Sequence, residues 1–494
     1  MWPQYEEKLN TLCSVCKHIQ FPFLDGYGII LLKITICFGR RRIMAADMTK
    51  GRIMPQLISF TVPLVLGNLF QLTYNAADSM IVGRYVGDSA LAAVGTAGPI
   101  MNLAILFISG MCMGAGILMS TQYGAKDFDR LQRQISTTLL GGLFFSLCVT
   151  IAMHFLAIPI LRLVNVPEDL LSEASGYLRI IFTGLIFTFI YNFLANTLRA
   201  LGDSKTSLYF LIISAALNIA GDLLFVAVFH MGVNGSGIST VLSEMLCCLC
   251  CAIYIKKKVP LLCLGKKWLV FDRSLLLKTI SYSITSALQS MCVQLGKVFV
   301  QTVVNSQGVA FMAAFTAINR VDDFAMTPQQ NIAHASTTFM AQNRGAKQWK
   351  RLRQGFLNSV LIQSVYTAAV SAAVFLFATP IMQMFVGKES TEVIFLGVTY
   401  LKLISIMYIM PAATNIIQGF FRGMGDLKIT LISTITNMSF RFLSAYLFIR
   451  IWGGGFGSLA WANFWGWIAM MALEVPLFIL HLRKLPKTDT SVSR

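Results

Sequence analysis

The chain has 494 residues, 56% of them hydrophobic and 13% charged, with a formal net charge of +18 at pH 7. A soluble protein of this size carries about twice that charged fraction. The Lys and Arg residues fall between apolar stretches rather than on one face, so the positive charge marks membrane orientation and not a nucleic-acid partner.

Residues 1–47 differ in character from the remainder of the chain. They mix charges and aromatics around a short apolar run, "GIILLKITICFG", that ends in "RRR" and is too interrupted to span a bilayer. We expect a poorly ordered extension, with Met48 as the working start. Cys13 and Cys16 form a lone CxxC without a second pair, weak grounds for zinc.

From 54 onward, apolar stretches of about 20 or more residues recur. They predict twelve transmembrane helices over 54–82, 90–121, 132–162, 170–199, 206–230, 236–256, 276–305, 310–342, 353–384, 391–421, 428–450 and 456–482. A β-barrel would show short alternating segments instead. The "CCLCC" cluster (Cys247, Cys248, Cys250, Cys251) lies on the sixth span, with no acid or His at ligand spacing except Glu244, and reads as packing cysteine. Basic residues gather in alternate loops: Lys126, Arg130 and Arg133; Arg199 and Lys205; Lys256, Lys257, Lys258, Lys266 and Lys267; Arg344, Lys347, Lys350, Arg351 and Arg353; Arg422 and Lys428; Arg483, Lys484 and Lys487. The other side carries only Arg84, Arg162, Lys388 and Arg450. The positive-inside rule puts both termini in the cytoplasm, which requires an even number of spans.

The chain also repeats. "RALGDSKTSLY" at 199 returns as "RGMGDLKITLI" at 422, and "QYGAKDFDRL" at 122 as "QNRGAKQWKRL" at 342. Both pairs lie about 220 residues apart, so the unit is six spans. Six is even, so the halves share one orientation. The expected domains are an extension over 1–47, a six-helix lobe over 48–258, a cytoplasmic linker over 259–275, a second six-helix lobe over 276–484 and a cytoplasmic tail over 485–494.

Several polar residues fall where lipid contact would be costly. Asp78 lies inside the first span, and a carboxylate at the bilayer centre costs at least about 2.5–3.5 kcal/mol on insertion scales. It is therefore expected to face the bundle interior. Its expected partner is Asp222, with Asn218 one turn earlier on the same face. Thr240 and Asn192 complete the expected pocket, Asn196 being a competing choice for the last. Two close carboxylates do not both ionise comfortably, so the pair holds a proton or a small cation, H⁺ or Na⁺, between Asp78 and Asp222. A gapless overlay of the repeats sets Phe299 opposite Asp78, and Arg441 and Ala445 opposite Asn218 and Asp222, so the acid pair belongs to the first half alone. In the second half, Lys297 is expected to pair with Asp322 or Asp323 or, alternatively, to line a substrate path with them. Gln329 and His334 are candidates for the cavity wall. Glu244 and Glu474 should face protein or a water-filled vestibule. The "GD" turns at 202–203 and 425–426 read as helix stops whose Asp caps the next helix. Pro63 reads as the place for a kink in the first span.

The marks "YNAADSMIVGRYVGDSALAAVG", "QYGAKD", "RALGDSKT" and "NIAGD", together with the half-repeat, make the chain resemble the MATE (multidrug and toxic compound extrusion) transporters over nearly all of 48–482. The resemblance implies an all-α bundle of two parallel six-helix repeats. It also implies efflux of organic molecules by alternating access against inward H⁺ or Na⁺. In DinF-like members the first lobe carries the coupling site, and Asp78, Asn192, Asn218, Asp222 and Thr240 match its pattern by spacing. The expectation is a multidrug efflux antiporter of the cell membrane, acting on lipophilic, cationic organic compounds. No cofactor, nucleic acid or partner chain is expected beyond the bilayer and the substrate. A lipid-linked oligosaccharide flippase of the wider superfamily is the alternative, though it should show a strongly charged central groove. A membrane-embedded enzyme lacks support, because the chain has no HExxH, no GxSxG and only five His.

Overall fold

The computed structural model describes residues 47–486 and 489, apart from 87, 165, 263–268 and 387–388. The side chains of 75–80, 82–83, 88–93, 169 and 260 also fall outside the description. The expected extension over 1–47 and the Cys13–Cys16 pair thus lie outside the described residues, except for Asp47.

The described chain is helical, with no strand. In order it forms α1 (Ile53–Tyr85), α2 (Asp88–Gly124), α3 (Phe128–Leu163), α4 (Glu168–Ala200), α5 (Ser204–Asp222), α6 (Gly232–Lys258), α7 (Arg273–Asn305), α8 (Val309–Gly345), α9 (Trp349–Leu376), α10 (Ala378–Val386), α11 (Thr391–Met407), α12 (Ile409–Met424), α13 (Leu427–Tyr446) and α14 (Ser458–Lys484). These make the twelve expected spans, with α9 and α10 forming one and α11 and α12 another. Eight helices are long and apolar enough to cross a membrane by length and composition, and nine if the bent α11–α12 pair counts as one span. The remaining three, α7, α8 and α13, dilute their apolar character with polar side chains that pack inward. Gln289, Gln329, Asn331, Thr434 and Asn437 are all buried. The lipid side is the reverse: Phe144 is 72% and Phe155 74% exposed on α3.

Three local features depart from uniform helices. The span expected over 353–384 breaks at Phe377, between α9 and α10. The span over 391–421 bends by 47° between α11 and α12, at Tyr408. After Asp222 the fifth span turns into a π-helix, Leu223–Val228, and α13 does the same at Leu447–Ile451. The two π segments occupy matching places in the repeat, as the Arg199–Arg422 correspondence requires. Helix α1 runs unbroken through Pro63.

The turns behave unequally. Gly202 and Gly425 adopt φ of 89° and 87°, a left-handed conformation that suits glycine. Asp203 caps α5 by accepting from the Thr206 amide at 3.0 Å. Asp426 makes no capping bond and instead meets His481 Nε2 at 3.2 Å, because α14 ends beside it.

One apolar core is built from residues between 97 and 262, and a second from residues between 300 and 467. The halves touch chiefly at the basic end of the bundle. There, Leu57, Phe60 and Leu64 of α1 pack on Ala335 and Phe339 of α8. A Cβ on Gly110 or Gly114 of α2 would run into the α7 backbone at Ala287 or Tyr282, so these glycines let the two helices meet closely. Ser283 uses that approach to donate to the Met111 carbonyl at 2.8 Å. The ends of α2 and α8 cross with local two-fold character: Gly124 abuts the Gln342 carbonyl, and Gly345 abuts the Thr121 carbonyl. Residues 47–51 strap this end. Lys126 of the first half binds Asp47 at 2.7 Å. In the second half, the Met48 amide donates to Gln342 Oε1 at 3.1 Å, and Arg351 donates to the carbonyls of Met48, Lys50 and Gly51.

Candidate functional site

The first-half polar set is assembled from α4, α5 and α6. Asn218 Nδ2 donates to Thr240 Oγ1 at 3.2 Å and approaches Ser239 Oγ at 3.4 Å, while Ser239 Oγ donates back to the Asn218 carbonyl at 2.7 Å. The close approach rests on Gly221, where a Cβ would meet Ser239 Oγ. Asp222 follows one turn after Asn218, fully buried at 0% exposure, at the junction where α5 becomes a π-helix. Single π turns inside helices are frequent at functional sites, because they shift the register of a side chain without breaking the helix. The Asp78 side chain lies outside the described residues; its backbone is on α1, which packs against α5. Asn192 Nδ2 donates to the Thr188 carbonyl of its own helix at 2.9 Å, and Asn196 does the same to Asn192. No bond joins Asn192 to the Asn218–Thr240 pair among the described residues.

A carboxylate outside the expected pocket lies one turn beyond Thr240. Glu244 Oε2 accepts from Thr188 Oγ1 at 2.5 Å, across α6 and α4. Since Thr188 also holds Asn192 through its carbonyl, Asn192, Thr188 and Glu244 form one bonded group, and Thr240, one turn before Glu244 on α6, belongs to the Asn218 pair. The i, i+4 spacing of Thr240 and Glu244 is the signal in the sequence that would have joined them. Cys247 and Cys248 further along α6 donate to the Phe210 and Phe187 carbonyls, each at 3.2 Å, as packing groups.

In the second half the two acids of α8 part company. Asp323 pairs with Lys297 of α7 at 3.0 Å. Asp322 accepts from Tyr408 at 2.7 Å and from Tyr400 at 3.3 Å, and Tyr400 in turn accepts from Asn463 at 2.8 Å. Both tyrosines are buried, and Tyr408 is the residue at the α11–α12 bend. Neither tyrosine was singled out by sequence reasoning, because their helices lie about 80 residues away along the chain. Gln329 is fully buried and reaches Thr367 of α9 at 3.4 Å. His334 is half-buried on α8. Glu474 is buried and accepts from Ser433 at 2.6 Å. An apolar groove of about 240 Å³ lies between α1, α8 and α9, lined by Ile58, Val62, Leu66, Pro328, Ile332 and Tyr366. Among the described residues no group of three or more His, Cys, Asp or Glu is arranged to hold a metal ion.

Comparison with known proteins adds to this geometry. The MatE family's sequence model matches residues 63–224 and 285–447, once in each half. A probable multidrug resistance protein of Bacillus subtilis (strain 168), YpnP, is 30% identical over 82% of this chain and 90% of its own length. A second from the same organism, YoeA, is 28% identical over 76% and 82%. A solved structure described as the outward-facing conformation of a multidrug resistance MATE family transporter of the MOP superfamily superposes with a TM-score of 0.83 at 21% identity, covering 90% of this chain and 98% of that one.

Proposed function

The chain belongs to the MatE family of membrane transporters, and from that premise we propose that it is a multidrug efflux antiporter driven by inward H⁺ or Na⁺. The observation that carries the coupling reading is Asp222: a carboxylate with no exposed surface, one turn from the Asn218–Thr240 bond, at a π-helical junction. A carboxylate in such a place is a functional group by default, since burying it without a role would only weaken the bundle. Asp78 completes the site from α1, with Asn192 at its edge. Glu244 extends it, tied through Thr188 to the same α4–α6 seam.

The mechanism follows from charge and access. With a proton or cation held, the mutual repulsion of the carboxylates is relieved and the first-half pocket packs closed. When the ion leaves, paired carboxylates repel and favour hydration, which opens the pocket and lets an organic compound bind or leave. The basic end of the bundle is the cytoplasmic one by the positive-inside rule. The strap and the Gly124–Gly345 crossing close that end, so passage on the cytoplasmic side requires these contacts to part. The substrates are lipophilic organic compounds, cationic ones included. The protein acts as a monomer in the plasma membrane, with both termini cytoplasmic and no cofactor.

The test is transport into sealed proteoliposomes with pH and sodium gradients imposed separately. One gradient should drive uptake of a lipophilic dye, and Asp222→Asn and Asp78→Asn should each abolish the gradient-dependent part while protein remains in the membrane. Full gradient-driven transport in both variants would remove the coupling site.

A further inference from the structure

The second half turns a polar surface toward the first. Helices α7 and α8 both pack against the first half: α7 meets Gly110 and Gly114 of α2, and Asn68 of α1 donates to Asn331 Oδ1 of α8 at 3.1 Å. At about 100° per residue, the exposed side chains of α8, Val309, Met312, Thr316, Arg320, Phe324 and Gln330, fall within one face about 120° wide. Asp323, Thr327 and His334 lie on that face and are partly exposed. On α7 the lipid stripe runs through Leu277, Ile284, Leu288, Leu295 and Val298. Gln294, Lys297 and Gln301, which are partly exposed, form a separate stripe about a third of a turn away.

The two polar faces join at one ion pair. Lys297 Nζ and Asp323 Oδ1 are 3.0 Å apart, and the side chains keep 40% and 47% of their surface. At about 1.5 Å per residue, Lys297 lies about 12 Å inside the α7 end at Asn305, and Asp323 about 21 Å inside the α8 start at Val309. Both depths fall within a hydrocarbon layer of about 30 Å, where charge exposed to lipid is costly, so the pair faces a water-filled path between the halves. A half-exposed ion pair is weakly held and opens readily. The charges around it do not balance. Arg320, about one turn before Asp323 on the same face, is exposed and makes no hydrogen bond or ion pair among the described residues. The neighbouring acid, Asp322, is taken by Tyr408 at 2.7 Å and Tyr400 at 3.3 Å. Once opened, the pair therefore offers one carboxylate beside two cations.

We infer that Lys297, Asp323 and Arg320 recognise the substrate on this path: Asp323 takes its cationic group, and Lys297 with Arg320 takes its carboxylate. A simple cation bound at Asp323 would strand Lys297 without a counter-charge, whereas a zwitterion supplies both partners as the pair parts. Arginine's planar fork suits the two oxygens of a carboxylate. The inference rests on the efflux reading and deepens it: the favoured cargo is a zwitterionic amphiphile, held by the second half while the first-half acids take the coupling ion.

The experiment measures dye binding to the full chain in phosphatidylcholine nanodiscs by fluorescence polarisation. Rhodamine 110 is zwitterionic, and rhodamine 123 is its methyl ester, a simple cation with the same ring system. The wild type should bind rhodamine 110 about tenfold more tightly, as one charge-assisted contact predicts. Lys297→Gln leaves Asp323 free and should erase that preference, weakening rhodamine 110 while rhodamine 123 binds at least as tightly as before. Asp323→Asn should instead weaken rhodamine 123 about tenfold. A purely structural pair predicts the same loss of both dyes in both variants. That result, or a preference that survives Lys297→Gln, overturns the inference alone, and so does equal affinity of the wild type for the two dyes. Arg320→Gln, which has no bond to lose, should narrow the preference. It decides the matter if the other variants do not fold, and an unchanged preference there overturns the inference. A wild type that binds neither dye overturns it together with the efflux reading.

Discussion

One guanidinium makes more bonds to the strap over residues 47–51 than any other side chain. Arg351 donates to the Met48 carbonyl at 3.0 Å, to Gly51 at 2.6 Å, to Lys50 at 3.0 Å and to Gln56 Oε1 at 2.8 Å, and it lies over the Phe339 ring at 5.4 Å from its centroid. Four bonds at about 1 kcal/mol each, reduced because two of the acceptors are exposed, leave about 2–3 kcal/mol holding the strap closed. Arg351→Gln should remove most of it. In hydrogen–deuterium exchange, amides in the 48–57 peptide should then exchange about 30- to 150-fold faster. The Met48 amide, held by Gln342 Oε1, should show it most clearly. Arg353→Gln is the control, since Arg353 donates to the Leu485 carbonyl and leaves the strap alone. Unchanged exchange at 48–57 in Arg351→Gln, with the control also unchanged, would refute the reasoning.

Three further outcomes are expected from the same geometry. Burial raises the Asp47 carboxyl, but bonds from Lys126 and Thr49 outweigh it and hold the group below its ordinary value. Its contribution is therefore complete above the unfolded value near about 4 and is lost only as pH falls through the lowered one. Strap exchange corrected for intrinsic rates should match at pH 7 and pH 5 and rise only in more acidic buffer, and a rise already at pH 5 would contradict this. Gly124→Ala should lower the thermal midpoint by several degrees, because its Cβ would strike the Gln342 carbonyl, whereas Gly455→Ala, with open space around it, should leave the midpoint within about a degree. Tyr408→Phe removes the 2.7 Å bond to Asp322 and should cost about 1–2 kcal/mol in chemical unfolding, and Tyr400→Phe, which loses both a 3.3 Å bond to that acid and the 2.8 Å bond from Asn463, should cost at least as much.

What could be read in advance divides along physical lines. Spans, repeat and class come from composition and local periodicity, so α1 to α6 fall close to their expected limits. The breaks at Phe377 and Tyr408 each fall three residues before a proline, Pro380 and Pro411, which cannot donate to the carbonyl four residues back, so the sequence carries their signal although apolar length alone predicts unbroken spans. The π segments were hidden. They come after Asp222 in one half and Tyr446 in the other, an acid and an aromatic, so neither residue type causes them. Lys297 had two acids within reach by sequence. Only the packing of α7 on α8 decides for Asp323, and the two tyrosines then claim Asp322. Asp203 capped its helix as its motif suggests, while Asp426 met a histidine whose place depends on the far end of the chain.

The contacts between halves lie at one end of α2, and this fixes its mechanical advantage. The gripping part, residues 110–124, is about 22 Å long, and the outer arm over 88–109, which moves with the first-half core it packs in, reaches about 33 Å beyond it at 1.5 Å per residue. A tilt of about 10° at the grip would sweep the tip of that arm through nearly 6 Å, about the width of an aromatic ring. A displacement small enough to slide glycine past a neighbouring backbone is thus magnified at the far rim into a gate the size of a drug.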